Sequence, residues 1–160
     1  MRFWCLLLIA ACASQPQTVA TPQVPVSAYA QIEASVDLDG KPVGHVDLPT
    51  VVIVFASWCP HCREELPELA ALHGARILGV NYRGHEEYDH RGNSEAVRAF
   101  SERNAWLRIV PIDDTTFAAL GSPSKIPSIY VFDRTGKLTA TFVRTERAPP
   151  KRDELAAALR

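Results

Sequence analysis

No apolar run among these 160 residues approaches the roughly 20 that a helix needs to cross a bilayer. Neither sign of charge is in excess: 17 Lys+Arg stand against 18 Asp+Glu, a formal net charge of −1. The cations are scattered rather than striped, so the chain has no electrostatic footprint for a phosphate backbone, and nucleic acid is not an expected partner. Cysteine is scarce, with four in the whole chain: Cys5, Cys12, Cys59 and Cys62. No second C-x-x-C complements the last two, so a four-cysteine zinc site is excluded, and neither a metal nor an organic cofactor is expected. There is no internal repeat. What is present, 47% hydrophobic and 22% charged residues, is the composition of one globular domain.

The two early cysteines lie in a segment of a different kind. Met1 to Cys12 carries one positive charge, then an apolar stretch, then small residues ending at a cysteine, the grammar of an export signal. At about 1.5 Å per residue, Phe3 to Ala13 covers only ~16 Å of a ~30 Å bilayer core, too short for a spanning anchor. Ile9-Ala10-Ala11-Cys12 resembles the bacterial lipobox, in which the cysteine becomes the lipidated N-terminus. A plain secretory signal cut near Ala13 is the alternative. By the same resemblance, Ala13 after the cysteine favours the outer membrane. Residues 13–30 hold three prolines, small polar residues and no charge, the composition of a tether. The expected organisation is therefore a signal over 1–11, a lipidated Cys12 with a flexible tether over 12–30, and a folded domain over 31–160.

Within that domain, Ser35 to Leu38 and Val43 to Val46 flank Asp39-Gly40-Lys41-Pro42 and predict a hairpin. Val51 to Phe55 is a continuous apolar run, as in a strand buried on both faces. A helix is expected after Cys59, with Leu66, Leu69 and Leu72 on one side, Pro67 kinking it and Gly74 capping it. Ile77 to Val80 predicts a second strand, and Asn93 to Asn104 a second helix with Ala96, Val97 and Phe100 inward. Ser128 to Phe132 and Leu138 to Val143 predict an antiparallel hairpin around Asp133-Arg134-Thr135-Gly136. A last helix carries Leu155, Ala158 and Leu159. This order predicts an α/β fold with one mixed sheet.

Trp58-Cys59-Pro60-His61-Cys62 puts a C-x-x-C at the junction of the buried strand and the first long helix. A structural disulfide closing a two-residue loop would constrain the unfolded chain very little. A redox role has a direct mechanism. At a helix N-terminus, free backbone N–H groups and the helix dipole favour the Cys59 thiolate. Cys59 attacks a disulfide, and Cys62, one turn on, resolves the mixed disulfide.

From about Ser35 to Leu159 the chain resembles the thioredoxin superfamily, and within it the TlpA/ResA/DsbE group of exported thiol-disulfide oxidoreductases. The residues that carry the resemblance are Asp39-Gly40-Lys41-Pro42-Val43, Val54 to Cys59, Glu65 and Pro67 after Cys62, Val110-Pro111 with Asp113 or Asp114, and Ile126-Pro127-Ser128 before a strand and Asp133 to Lys137. The resemblance implies a thioredoxin fold, a central mixed β-sheet flanked by helices, here with an N-terminal β-hairpin extension. It also implies a cis peptide bond at Pro127 that faces the cysteine pair and presents the Ile126 backbone to an extended substrate. Glu65, i+3 from Cys62, is the candidate for proton transfer with the resolving thiol; the alternative is a solvated helix-face acid beside Glu64 and Glu68. Cytosolic-type thioredoxins bury an aspartate six residues before the first cysteine. Ile53 stands there in this chain, which leaves Glu65 as the carboxylate candidate.

Trp58, Pro60 and His61 are the residues expected to tune the couple. Pro60-His61 is the dipeptide of the oxidising DsbA, whose potential lies about 150 mV above that of thioredoxin. Yet only about a dozen residues, Tyr82 to Asn93, separate the second strand from the second helix, too few for DsbA's inserted helical domain. The expected function is an envelope reductase acting on disulfide-containing or dithiol proteins, of cytochrome c maturation type or general. Its expected electron donor is a membrane thiol-disulfide protein of DsbD or CcdA type. A DsbA-like oxidase and a copper-handling protein using Cys59, Cys62 and His61 are the rivals. His85 to His90 reads as an exposed charged loop.

Overall fold

The computed structural model describes residues 27–143 and 152–159, so Cys5, Cys12 and nearly all of the expected signal and tether lie outside the described residues. Among the described residues no helix is long and apolar enough to cross a membrane. The elements run α1 (Ala28–Ala34), β1 (Thr50–Phe55), α2 (Pro60–Ala70), β2 (Arg76–Tyr82), α3 (Arg83–Glu86), α4 (Ser94–Arg103), β3 (Arg108–Ile112), α5 (Asp114–Ala119), β4 (Ser128–Phe132), β5 (Leu138–Val143) and α6 (Arg152–Ala158), with a 3-10 turn over Tyr88–His90.

The strands form one sheet in the order β3-β2-β1-β4-β5. β1, β2 and β3 are mutually parallel; β4 is antiparallel to both β1 and β5. The uninterrupted apolar character of β1 follows from its central place. Val51, Ile53 and Phe55 face α2, α4 and α6 through Leu66, Leu69, Val97, Phe100 and Leu155, with Phe55 stacked on Phe100 at 4.8 Å. Val52 and Val54 face the opposite layer, where Tyr29 and Ile32 of α1 pack with Leu120 and Phe132. Gly79 of β2 lies under Leu107 and Phe55, whose atoms stand 3.0–3.2 Å from where a Cβ would be, so a side chain there would push both inward.

Three expectations need correction. The folded part begins before Gln31: α1 starts at Ala28, capped by the Ser27 hydroxyl, which accepts the Ala30 N–H. The N-terminal hairpin reduces to a single bridge between Val36 and Pro42. Around that bridge the Asp37 N–H donates to the Lys41 carbonyl and the Val43 N–H to the Ser35 carbonyl, and side chains brace the short pairing. Asp37 accepts the N–H groups of Asp39 and Lys41, and Arg108 of β3 donates to Asp37 at 2.8 Å and to the Lys41, Pro42 and Val43 carbonyls. Third, α2 runs through Pro67, stops at Ala70 and is followed by Ala71 in αR geometry, so Gly74 (φ +76°) lies past the cap. The expected second helix, C-terminal hairpin and last helix are all present, whereas α1, β3 and α5 are elements for which the sequence offered no separate expectation.

Candidate active site

β1 ends at Phe55, and the chain crosses Ala56, Ser57 and Trp58 before Cys59 opens α2. Cys59 is the N-cap of that helix. Its backbone is extended (φ −74°, ψ 114°), Pro60 occupies the first turn, and its Sγ accepts the Cys62 backbone N–H at 3.2 Å. A proline costs nothing there, because the first-turn N–H groups have no helical partner. The thiol thus takes the place that a serine or aspartate oxygen fills in an ordinary cap.

The two cysteines are free thiols in unequal surroundings. Cys59 is 3% exposed and Cys62 wholly buried. The Cys59 pKa is lowered to about 7, first by the hydrogen bond from the Cys62 thiol, against the effect of burial, and then by the Cys62 N–H and the charge of His61. The Cys62 thiol is pushed far up, first by burial and then by its role as partner of Cys59, with the negative charge of Glu65 acting in the same direction. One sulfur is prepared as a thiolate and the other is held protonated beside it.

Sheet register explains what faces the pair. β4 runs antiparallel to β1 with Ser128 opposite Val54, so the residues just before Ser128 arrive at the end of β1 where the cysteine turn begins. Those residues are Ile126 and Pro127, joined by a cis peptide bond, and the Ile126 carbonyl lies 3.9 Å from Cys59 Sγ. Ser128 fixes the corner by donating its hydroxyl to the Lys125 carbonyl at 2.7 Å.

Glu65 is 1% exposed, which removes the reading of a solvated helix-face acid. Ile53, at the position where cytosolic-type thioredoxins carry aspartate, is fully buried in the same apolar cluster as both cysteines. Pro60 and His61 are exposed, and His61 Nδ1 is 3.2 Å from Glu64. Trp58 donates its indole N–H to the Glu86 carbonyl at 2.9 Å, and the Arg91 guanidinium lies 5.0 Å over its ring. Among the described residues no group of three His, Cys, Asp or Glu side chains could hold a metal ion.

The segment His85 to His90 is not uniformly solvated, a further correction. Glu86 is 2% exposed and its carboxylate reaches Ser57; burial pushes the half-buried His85 imidazole down, and its ring lies against Phe117. In sequence nothing separates Glu86 from Glu87. Only the fold brings Glu86 to a residue 29 positions away.

Comparison with known proteins bears on the fold and on the family resemblance. No protein-family model matches the chain. The thiol:disulfide interchange protein DsbE of Pseudomonas aeruginosa is 30% identical over 123 residues, 75% of this chain, and the chain spans 61% of that relative's length. A secreted Mycobacterium tuberculosis disulfide oxidoreductase homologous to E. coli DsbE superposes with a TM-score of 0.59 at 20% identity, over 78% of this chain and 92% of that one. The chain is a thioredoxin-fold homologue of the DsbE group. The exposed lipoprotein thioredoxin of Streptococcus pneumoniae shares the fold, with a TM-score of 0.60 at 17% identity over 78% of this chain and 95% of that one. The DsbE relatives are named for thiol:disulfide interchange.

Proposed function

We propose that this protein is a thiol-disulfide oxidoreductase of the bacterial envelope that reduces disulfides in protein substrates through Cys59 and Cys62. The opposed perturbation of the two thiols carries the reading: an acidified Cys59 at a helix N-terminus against a suppressed, buried Cys62. The Cys59 thiolate attacks a substrate disulfide, forming the Cys59–substrate bond and expelling the other substrate sulfur as a thiolate, which takes up a proton. Cys62 then gives up its proton, with Glu65 as the carboxylate that assists, and attacks Cys59 Sγ. The second substrate thiol leaves, and two electrons have passed from the Cys59/Cys62 dithiol to the substrate. Ile126 and Pro127 form the edge against which an extended substrate segment lies, with Trp58, Pro60 and His61 around the nucleophile.

The reductase direction is favoured over a DsbA-like oxidase by the Cys59 pKa of about 7. That value matches the nucleophile of thioredoxin, also about 7, rather than that of DsbA, about 3.5. The short segment between β2 and α4, with no inserted helical domain, points the same way. Insulin reduction should be present in the wild type and lost in Cys59→Ser; activity that survives the substitution rejects the assigned nucleophile. Titration of the couple against glutathione tests the direction, because a midpoint near the roughly −120 mV of DsbA would reverse it.

The lipobox-like Ile9 to Cys12 supports removal of residues 1–11, lipidation of Cys12 and a tether over 12–30, which would hold the domain on the periplasmic side of a membrane, the outer one by the Ala13 criterion. The pneumococcal relative of the same fold is itself called a lipoprotein. On this reading a membrane dithiol donor of DsbD or CcdA type re-reduces the Cys59–Cys62 disulfide. Radiolabelled palmitate should enter the wild type and not Cys12→Ser.

A further inference from the structure

The turn between β1 and Cys59 is held from outside by a carboxylate. Glu86 Oε2 accepts the Ser57 backbone N–H and the Asn81 amide, each at 2.8 Å, while Oε1 accepts the Ser57 hydroxyl. Asn81 donates also to the Phe55 carbonyl at 3.3 Å, and the Glu86 carbonyl takes the Trp58 indole N–H. Ser57 has no polar group to spare: both donors end on Glu86 and its carbonyl accepts Arg63 Nη2 at 2.9 Å. The chain is also shaped around this side chain. Gly92 returns so close that a Cβ there would collide with both the carboxylate and the backbone carbonyl of Glu86.

A carboxylate excluded from water is costly and persists where hydrogen bonds compensate it. The groups that compensate Glu86 belong to β1's exit and to Asn81 of the neighbouring strand, and β1's exit leads directly into the nucleophile. We infer that Glu86 is a positioning residue for thiol-disulfide exchange, fixing Ser57 and Trp58 so that Cys59 enters α2 as its N-cap with Sγ on the Cys62 N–H. The inference rests on the exchange function proposed above. Glu86 acts through Ser57 and touches neither sulfur. Without it the Ser57 donors are buried without partners, the turn relaxes toward water, and Cys59 loses the registry that brings the helix N-terminus to its sulfur.

The test compares Glu86→Ala, Glu86→Gln and Ser57→Ala in the reduced full chain. Iodoacetamide alkylation of Cys59 is followed by mass spectrometry from pH 5 to 9, alongside insulin reduction and thermal melting. Glutamine keeps an oxygen for the Ser57 and Asn81 N–H groups and offers an N–H to the Ser57 hydroxyl. Glu86→Gln should therefore stay within about twofold of wild type, while Glu86→Ala, at a temperature where it is folded, should lose roughly tenfold in alkylation rate at pH 7 with its profile displaced to higher pH. Ser57→Ala should shift the profile the same way by less, and decides the matter if Glu86→Ala does not fold. A folded Glu86→Ala with wild-type profile and rate overturns the inference, as does a Glu86→Gln as impaired as the alanine variant, or an unmoved Ser57→Ala where that variant decides. Wild-type protein that alkylates normally yet fails to reduce insulin would count against the exchange function alone, because the alkylation profile reads Glu86 independently of any substrate.

Discussion

The backbone N–H of Cys62 points at Cys59 Sγ across 3.2 Å, within the first turn of α2. That bond, the Cys62 thiol and the His61 charge all favour the thiolate, and together they outweigh the burial of Cys59. Alkylation of Cys59 should be half-maximal near pH 7, where a free thiol near 8.5 would be only a few per cent ionised. The same shift links to stability with a definite sign. Because its folded pKa is the lower one, Cys59 contributes stability that is fully present above the unfolded thiol's pKa and is lost as pH falls through about 7. The raised Cys62 pKa acts oppositely above the unfolded value, so the Cys59 part is read as wild type minus Cys59→Ser. Chemical denaturation of the reduced protein at pH 6 and pH 9 measures that difference; equal contributions from wild type and Cys59→Ser would contradict it.

The largest influence on Cys59 is the hydrogen bond from the Cys62 thiol, which sets up a contrast between two substitutions. Cys62→Ser retains an O–H donor at nearly the same place, so Cys59 should stay acidic and hold its substrate as a stable mixed disulfide. Cys62→Ala removes the donor, and the Cys59 pKa should rise, slowing capture by up to roughly tenfold at pH 7. Single-turnover trapping with a disulfide peptide distinguishes the two. Equal capture rates would remove the Cys62 thiol from the groups that govern the thiolate.

His61 is exposed and contributes by its charge. His61→Ala should raise the Cys59 pKa, and added salt should produce a similar though smaller change in the wild type, since exposed charges are screened. A variant whose alkylation profile is unchanged at low ionic strength would remove His61 from the tuning residues.

Glu65 touches the second half of the cycle. It lies one turn past Cys62, is excluded from water, and its charge disfavours the Cys62 thiolate, so resolution needs the proton to leave as the sulfur attacks. Glu65→Gln should leave the first attack nearly unchanged and slow the release of substrate, by ~10²-fold if it supplies general-base catalysis. Acid quenching should then catch mixed disulfide in a chain that still has both cysteines. Loss of the first step instead would mean that Glu65 shapes the nucleophile.

The elements that bear the chemistry were legible because their signals are local. Val51 to Phe55 reads as a buried strand, and Cys59-Pro60-His61-Cys62 opens the helix that Leu66 and Leu69 anchor. The Pro127 corner was legible through resemblance, and sheet register then brings it to Cys59. What sequence left hidden depends on distant partners. Glu86 is one acid among several until β1 and β2 bring Ser57 and Asn81 to it. The Asp39–Pro42 turn forecasts strands and the backbone pairs there only briefly, while Arg108, 71 residues from Asp37, braces the segment through the acid and the Lys41, Pro42 and Val43 carbonyls.

The two layers of the sheet also separate stability from chemistry, and Gly136 offers the cleanest test. It sits in the β4–β5 turn at φ +79°, where the Asp133 carboxylate accepts the N–H groups of Thr135 and Lys137, and a Cβ there would press into the ring of Tyr29. Tyr29 packs on Phe132 and belongs to the layer opposite the cysteines. Gly136→Ala therefore meets two costs at once, a left-handed backbone that a side chain disfavours and the displacement of α1, together on the order of 1–3 kcal/mol. Melting should drop accordingly. Well below the melting temperature, the Cys59 alkylation profile should remain that of wild type, because Val51, Ile53 and Phe55 on the other face of β1 keep their contacts with α2. A shifted profile would mean that the α1 layer reaches through the sheet to the thiol.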